Sequence, residues 1–287
     1  IGIMKDIRSN PPADIHEARA VLDQALTVYP PASDVTIFEI DAGGVPCQWI
    51  TAPGVPQDRL IIYLHGGAYA ACSPTTHQDL ISRLSRASGA AALGVDYRLA
   101  PEDPFPAAVD DSVATYNWAL GHGFEPSNIV LAGDSAGGGL VLSVLLAARD
   151  AGTPMPAAGV CFSPWVDLEC SGESMAANDH LDDFIKYGGL SARAESYLGG
   201  ADPKNPLASA LFADLRGLPP LLVHVGSAET LLDDSTRLAA LAKKAGVDLT
   251  LEIWDDMVHV WQAFASILPE GQQSIEETGT FIREKLG

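Results

Sequence analysis

From residue 60 onward, short apolar runs alternate with segments of helical period, and few folds accommodate that alternation. The runs at 60–64, 91–95, 129–132, 158–162, 221–225 and 249–254 are β-branched or Leu-rich, as buried strands are. Between them, residues 77–88, 106–120, 137–150 and 232–245 carry helical spacing. Strand and helix in turn call for an α/β fold, a largely parallel sheet with helices on both faces. Such sheets hold ligands beyond the C-terminal ends of their strands. Two earlier runs, 35–40 and 45–51, flank Asp41-Ala42-Gly43-Gly44 and read as an antiparallel hairpin. The segments before Val35 and at 172–200 break the alternation, and a helical cap over the strand ends, built from about 1–34 and 172–200, is the expectation. No repeat or Pro-rich linker divides the chain, so residues 1–287 are expected to form a single domain.

The most informative short string is Gly133-Asp134-Ser135-Ala136-Gly137, a G-x-S-x-G between the run at 129–132 and the helical segment after it. A serine on so sharp a strand-to-helix turn needs small neighbours, and the turn lifts its Oγ clear of the sheet. Ser135 is therefore the candidate nucleophile. Upstream, the run at 60–64 leads into His65-Gly66-Gly67-Ala68. The amides of Gly66 and Gly67, with that of Ala136, are candidates for an oxyanion hole.

Of seven histidines, only His259 follows the last expected strand after a short loop, which makes it the candidate base. An acid is expected at the end of the preceding strand, where Gly226-Ser227-Ala228-Glu229 supplies one. Glu229 would fix the tautomer of His259 and stabilise the imidazolium. Asp233 and Asp234 are rivals, although their position suits the start of the next helix. The order Ser, acid, His along an α/β pattern sets the chain apart from β-barrel proteases, whose His and Asp precede the Ser. His16-Glu17-Ala18-Arg19-Ala20 lacks the second His of a zinc protease motif, and no catalytic metal is expected.

Four strings together, His65-Gly-Gly-Ala-Tyr69, Asp96-Tyr-Arg-Leu-Ala-Pro-Glu102, Phe105-Pro-Ala-Ala108 and Gly133-Asp-Ser-Ala-Gly-Gly138, resemble the hormone-sensitive-lipase family of α/β-hydrolases, chiefly its microbial esterases. The resemblance implies an eight-stranded mixed sheet, a Ser-acid-His triad, no cofactor, and hydrolysis of short- to medium-chain carboxylic esters. An amidase, a lipase or a catalytically silent binding protein of the same fold are the alternatives. The chain departs from the family pattern at the acid, where Glu229-Thr-Leu-Leu-Asp233 replaces Asp followed by Pro-Leu, and before His259, where Asp256-Met-Val stands for the commoner Met-Pro. Asp96, Tyr97 and Arg98 are expected to brace the His-Gly-Gly loop. Asp134, Tyr69 and Trp165 are candidates for lining the substrate pocket, and Phe184 and Tyr187 for narrowing it from the cap.

Composition narrows the partners. With 17 Lys and Arg against 37 Asp and Glu, the net charge of -20 repels nucleic acid and anionic lipid. The N-terminal 20 residues carry Lys5, Asp6, Arg8 and Asp14 without an apolar run, unlike a signal peptide, and residues 136–148 are too short to span a bilayer. Four cysteines without a C-x-x-C pair suit a reducing cytoplasm. The expected partner is a small ester, and the run at 249–254 is an edge-strand candidate that could pair with a second copy.

Overall fold

In the computed structural model, residues 14–287 are described; the expectations for Lys5, Asp6, Arg8 and the first part of the cap lie outside them. The Asp41–Gly44 turn reverses the chain through two glycines at φ 73° and 92°, with the Gly44 amide donating to Asp41 Oδ1 at 2.7 Å. It joins β1 (Thr36–Asp41) to β2 (Pro46–Thr51) as an antiparallel pair. β2 then runs antiparallel to β4 (Ala91–Val95). From there β3 (Leu60–Leu64), β5 (Ile129–Asp134), β6 (Ala158–Phe162), β7 (Leu221–Gly226) and β8 (Leu249–Trp254) continue in parallel. The eight strands lie in the order β1-β2-β4-β3-β5-β6-β7-β8. This is the α/β-hydrolase architecture implied by the motifs.

Helices α1 (Ile15–Leu26), α2 (Gln78–Ser88), α3 (Ala107–Gly121), α4 (Ala136–Ala151), α5 (Ser174–Ala177), α6 (Tyr187–Leu198), α7 (Leu232–Ala245) and α8 (Pro269–Lys285) complete the described chain. The central strands read as unbroken apolar runs because both faces are covered. Leu60, Ile62 and Leu64 of β3 join a core with Tyr116 of α3, Leu140 of α4 and Leu238 of α7. Ile61 and Tyr63 of the same strand face a second core with Leu84 of α2 and Ile275 and Ile282 of α8. Each such side chain, fully buried, contributes about 1.5–3 kcal/mol.

α8 is the element that the apolar period does not announce. Its buried face is Gly271, Ser274, Ile275, Thr278, Gly279 and Ile282. The spacing is helical, but the residues are mostly small, because the helix lies close against α2: a Cβ at Gly279 would stand 2.6 Å from Ala87.

Both segments outside the alternation meet loops at the C-terminal ends of strands. α1 buries no residue of its own and is held by Arg19, which donates to Ala70 O at 2.8 Å and Ala100 O at 3.0 Å and pairs with Glu102 at 2.7 Å. In α6, Tyr197 stacks on Tyr69 at 3.7 Å and its carbonyl accepts from the Phe105 amide at 2.7 Å. Next to α5, Asn178 donates to the carbonyls of Ser227 and Glu229, just beyond β7.

Glycines separate tight contacts from open ones. A Cβ at Gly137 would lie 1.9 Å from Leu64 O, whereas nothing lies within 4 Å of one at Gly121, at the end of α3. Gly137→Ala is expected to cost more than about 3 kcal/mol, or to prevent folding. Gly121→Ala is expected to add about 0.5–1 kcal/mol by restricting the unfolded chain and favouring helix. Urea denaturation midpoints of both variants check the contrast.

Candidate active site

β5 ends at Asp134 and α4 begins at Ala136, so Ser135 alone makes the turn, at φ 52° and ψ −120°. Holding a side-chain-bearing residue there costs about 1–3 kcal/mol, and the surroundings must over-determine it. They do. The Ser135 amide donates to Phe162 O at 2.8 Å, and its carbonyl accepts from the amides of Gly139 at 3.1 Å and Trp165 at 2.9 Å. Gly133 and Gly137 are required by close approach, since a Cβ at Gly133 would stand 2.5 Å from Gly137 O.

The structure brings Ser135, His259 and Glu229 into one hydrogen-bonded chain. His259, in the loop after β8, has Nε2 3.0 Å from Ser135 Oγ and Nδ1 2.9 Å from Glu229 Oε2. A carboxylate can only accept, so Nδ1 carries the proton and Nε2 is left to receive the serine hydrogen. Glu229 is fully buried, and its other oxygen accepts from Ser163 Oγ at 2.8 Å and the Gly226 amide at 2.5 Å. Ser163 Oγ also accepts from the Val260 amide at 3.2 Å, tying the acid to the loop that carries the base. The extra methylene of Glu, relative to Asp, is thus accommodated by a dedicated cradle. No sequence motif marks Ser163; its signal in the sequence is its place one residue past β6.

Asp233 and Asp234 are engaged elsewhere and do not cap their own helix. Asp233 accepts from the Ser174 amide at 2.8 Å, and Asp234 from the amides of Val166 and Asp167 at 2.8 and 2.9 Å. Burial pushes the Asp234 carboxyl up to about 8 despite those two amides. Asp182, between α5 and α6, accepts from the Thr230 amide at 3.0 Å and so braces the residue next to Glu229.

The His-Gly-Gly loop requires corrections. The Gly66 amide donates to Asp134 Oδ1 at 3.0 Å and is therefore not available to an oxyanion. The amides of Gly67, Ala68 and Ala136 make no hydrogen bond among the described residues, so Ala68 becomes the candidate in the place expected for Gly66. Asp134 is not a pocket-lining side chain either: it is buried and also accepts from Tyr63 Oη at 2.9 Å, with His77 Nε2 3.3 Å away. It anchors the loop beside the nucleophile, where a Cβ at Gly66 would meet Asp134 Oδ2 at 2.2 Å. Tyr97 braces the loop as expected, stacking on His65 at 4.2 Å and donating to its carbonyl at 2.6 Å. Arg98 does not; its guanidinium pairs with Asp111 at 2.8 Å. Trp165 is wholly buried, with its indole N–H on Asp167 O at 3.1 Å, and Tyr69 is packed between it and Tyr197. Both are core residues, not pocket walls. Phe184 packs on Phe264 at 5.3 Å, while Tyr187 is 47% exposed.

Residues 61–263 match the alpha/beta hydrolase fold family. The chain belongs to that family. An acetyl-hydrolase of Streptomyces hygroscopicus is 45% identical over 279 residues, covering 96% of this chain and 91% of its own. An esterase of Acinetobacter venetianus is 36% identical over 264 residues, covering 92% and 87%. Among solved structures, an esterase of the bacterial hormone-sensitive lipase family superposes with a TM-score of 0.98 at 50% identity over all of this chain and 96% of its own. The chain falls within that branch of the α/β-hydrolases.

In this hydrolase two acid–imidazole pairs flank Ser135. Burial disfavours the charged His259, but the Glu229 carboxylate outweighs it, and Asp182 and Asp134 add to the effect, so His259 is held above its ordinary value of 6.5. On the other side, burial would raise the Asp134 carboxyl, yet His77 and Tyr63 hold it below its usual range. A base must be neutral to accept a proton, so kcat/KM is expected to fall as pH drops through the raised His259 value, with an acid limb above pH 6.5. Glu229→Gln removes the carboxylate. Its limb is expected to move to lower pH, with kcat down by about 10²–10⁴ because an amide no longer enforces the tautomer. A pH–rate profile of both proteins checks the shift; an unmoved limb would contradict it.

Proposed function

We propose that this protein is a serine carboxylesterase acting on small esters of short to medium acyl chains. The observation that carries the reading is the unbroken chain Ser135 Oγ, His259, Glu229, aligned at 3.0 and 2.9 Å. Carboxylic-ester hydrolysis is the activity of this family branch, and the name acetyl-hydrolase of the Streptomyces relative favours a compact acyl group. The N-terminal helix α1 and the segment 172–200 are the cap in this reading, supported by their contacts with the loops at the ends of β3, β4 and β7.

Ser135 Oγ attacks the ester carbonyl carbon while its proton passes to His259 Nε2. The amides of Gly67, Ala68 and Ala136 hold the oxyanion, each worth about 2.7–4 kcal/mol in the transition state, and the start of α4 adds its dipole. The carbon–oxygen bond to the alcohol breaks as His259 returns the proton to that oxygen. Water, deprotonated by His259, then cleaves the acyl–serine bond and frees the acid and Ser135. A silent binding protein is disfavoured by this alignment, since nothing in ligand capture requires it.

No helix among the described residues is long and apolar enough to cross a membrane. All four cysteines are buried and unbridged, which supports a reducing compartment such as the cytoplasm.

Hydrolysis of 4-nitrophenyl esters from acetate to palmitate, with Ser135→Ala in parallel, tests the proposal. Activity is expected to peak at short chains and vanish in the variant. An inert protein, or a peak at palmitate, would reject it, and faster turnover of a matched amide would make it an amidase. A second copy of this chain is a further partner we propose. β8 is an edge strand with Ile253 47% exposed, and its unpaired backbone groups suit antiparallel addition. Sedimentation should give a dimer that Ile253→Lys disrupts, whereas a monomeric parent protein would refute it.

A further inference from the structure

Among the described residues, one cluster of ligating side chains stands apart from the triad. His224 of β7 and Glu252 of β8 are register partners, with Nε2 3.1 Å from a Glu252 oxygen. Glu277 of α8 brings its carboxylate beside that of Glu252, and one ligand atom from each of the three residues falls within 4.8 Å of the other two. His224 is fully buried, and its Nε2 meets the Glu252 carboxylate at 3.1 Å and no other hydrogen-bond partner among the described residues.

The other ring nitrogen is already fixed. Nδ1 lies 2.8 Å from Ser274 Oγ, and the rings of Phe162 and Trp254 stand on either side at 5.9 Å. An imidazole held by a polar partner through Nδ1, with Nε2 directed at carboxylates, is arranged as metal-ligating histidines are. We infer that His224, Glu252 and Glu277 form a divalent-cation site of the zinc type, with its fourth position open to water. Bonds of about 2.0–2.2 Å to tetrahedral zinc place neighbouring ligand atoms about 3.3 Å apart. The His224–Glu252 spacing of 3.1 Å already approaches that value. Glu277 is exposed and can close the remaining edges by rotation about its side-chain bonds.

The donor set decides the class of ion. One imidazole with two carboxylates suits zinc or cobalt, whereas magnesium and calcium seek oxygen alone. A net charge of -20 concentrates cations around the chain. The three ligands come from separate elements, so no contiguous motif announces them. None of their side chains bonds to Ser135, His259 or Glu229, and the bound ion clamps the edge strand β8 and the helix α8 to β7.

The test is calorimetric titration of the untagged full chain with zinc chloride and, separately, magnesium chloride, followed by melting curves. One zinc per chain and a raised melting temperature are expected, with magnesium doing neither. Glu277→Gln, at an exposed position, should keep its fold and ester hydrolysis while losing roughly tenfold or more in zinc affinity. Cobalt in place of zinc should give the visible bands of a tetrahedral centre in the parent protein and not in the variant. No zinc uptake, or uptake by Glu277→Gln and Glu252→Gln with the affinity of the parent protein, overturns the inference. Inhibition of hydrolysis by zinc with the same potency in those variants as in the parent protein, together with unchanged zinc affinity, would place the ion on His259 and overturn it equally.

Discussion

The start of α4 stands so close to the end of β3 that a methyl group at residue 137 would overlap the Leu64 carbonyl oxygen. That approach sets the position of Ser135 relative to everything else in the site. It forces the serine into a left-handed turn, and the turn presents Oγ beyond the strand ends while leaving the Ala136 amide without a partner inside the helix. The same closeness packs the His-Gly-Gly loop against Asp134 and Ser135. The position of Ser135 and of the amides around it therefore follows from one helix–strand contact, and the cost of the turn is met by the cores on both faces of the sheet.

The interior around this turn is more polar than a packed core tolerates unless every group is paired. Two carboxylates meet the requirement in different ways. Glu229 divides its oxygens between the base and a cradle made by Ser163 and the Gly226 amide, so it orients the imidazole from a fixed point. Asp134 spends its oxygens on the Gly66 amide, Tyr63 and His77, which fixes the loop and not the reaction. The two buried carboxylates thus serve separate tasks, and only their partners tell which is which. The segment after β6 joins both halves, since Ser163 is bonded to His224 O, to Glu229 and to Val260.

Much of this was legible beforehand where local chemistry decides the outcome. The six apolar runs became strands within two residues of their expected ends, the five inner ones because runs covered on both faces have little alternative and the sixth, β8, as a half-exposed edge. The G-x-S-x-G turn and His259 were legible for the same reason: small residues and chain order leave few ways to build the turn and place a base behind it. α8 escaped because its packing face is made of small and polar residues, whose burial is decided by the closeness of α2 and not by hydrophobicity.

The sequence by itself determined the alternating architecture and the G-x-S-x-G turn and offered His259 and Glu229 as candidate base and acid, since each rests on spacing along one stretch of chain, while only the structure set Glu229 apart from Asp233 and Asp234. The tertiary structure alone decided which amides stay unpaired, that Asp134 is an anchor, that Tyr69 and Trp165 are core, and that His224 meets Glu252 and Glu277. Those outcomes depend on side chains that converge from distant elements. A hydrogen bond has a reach of about 3 Å, and only the folded chain specifies what lies within it.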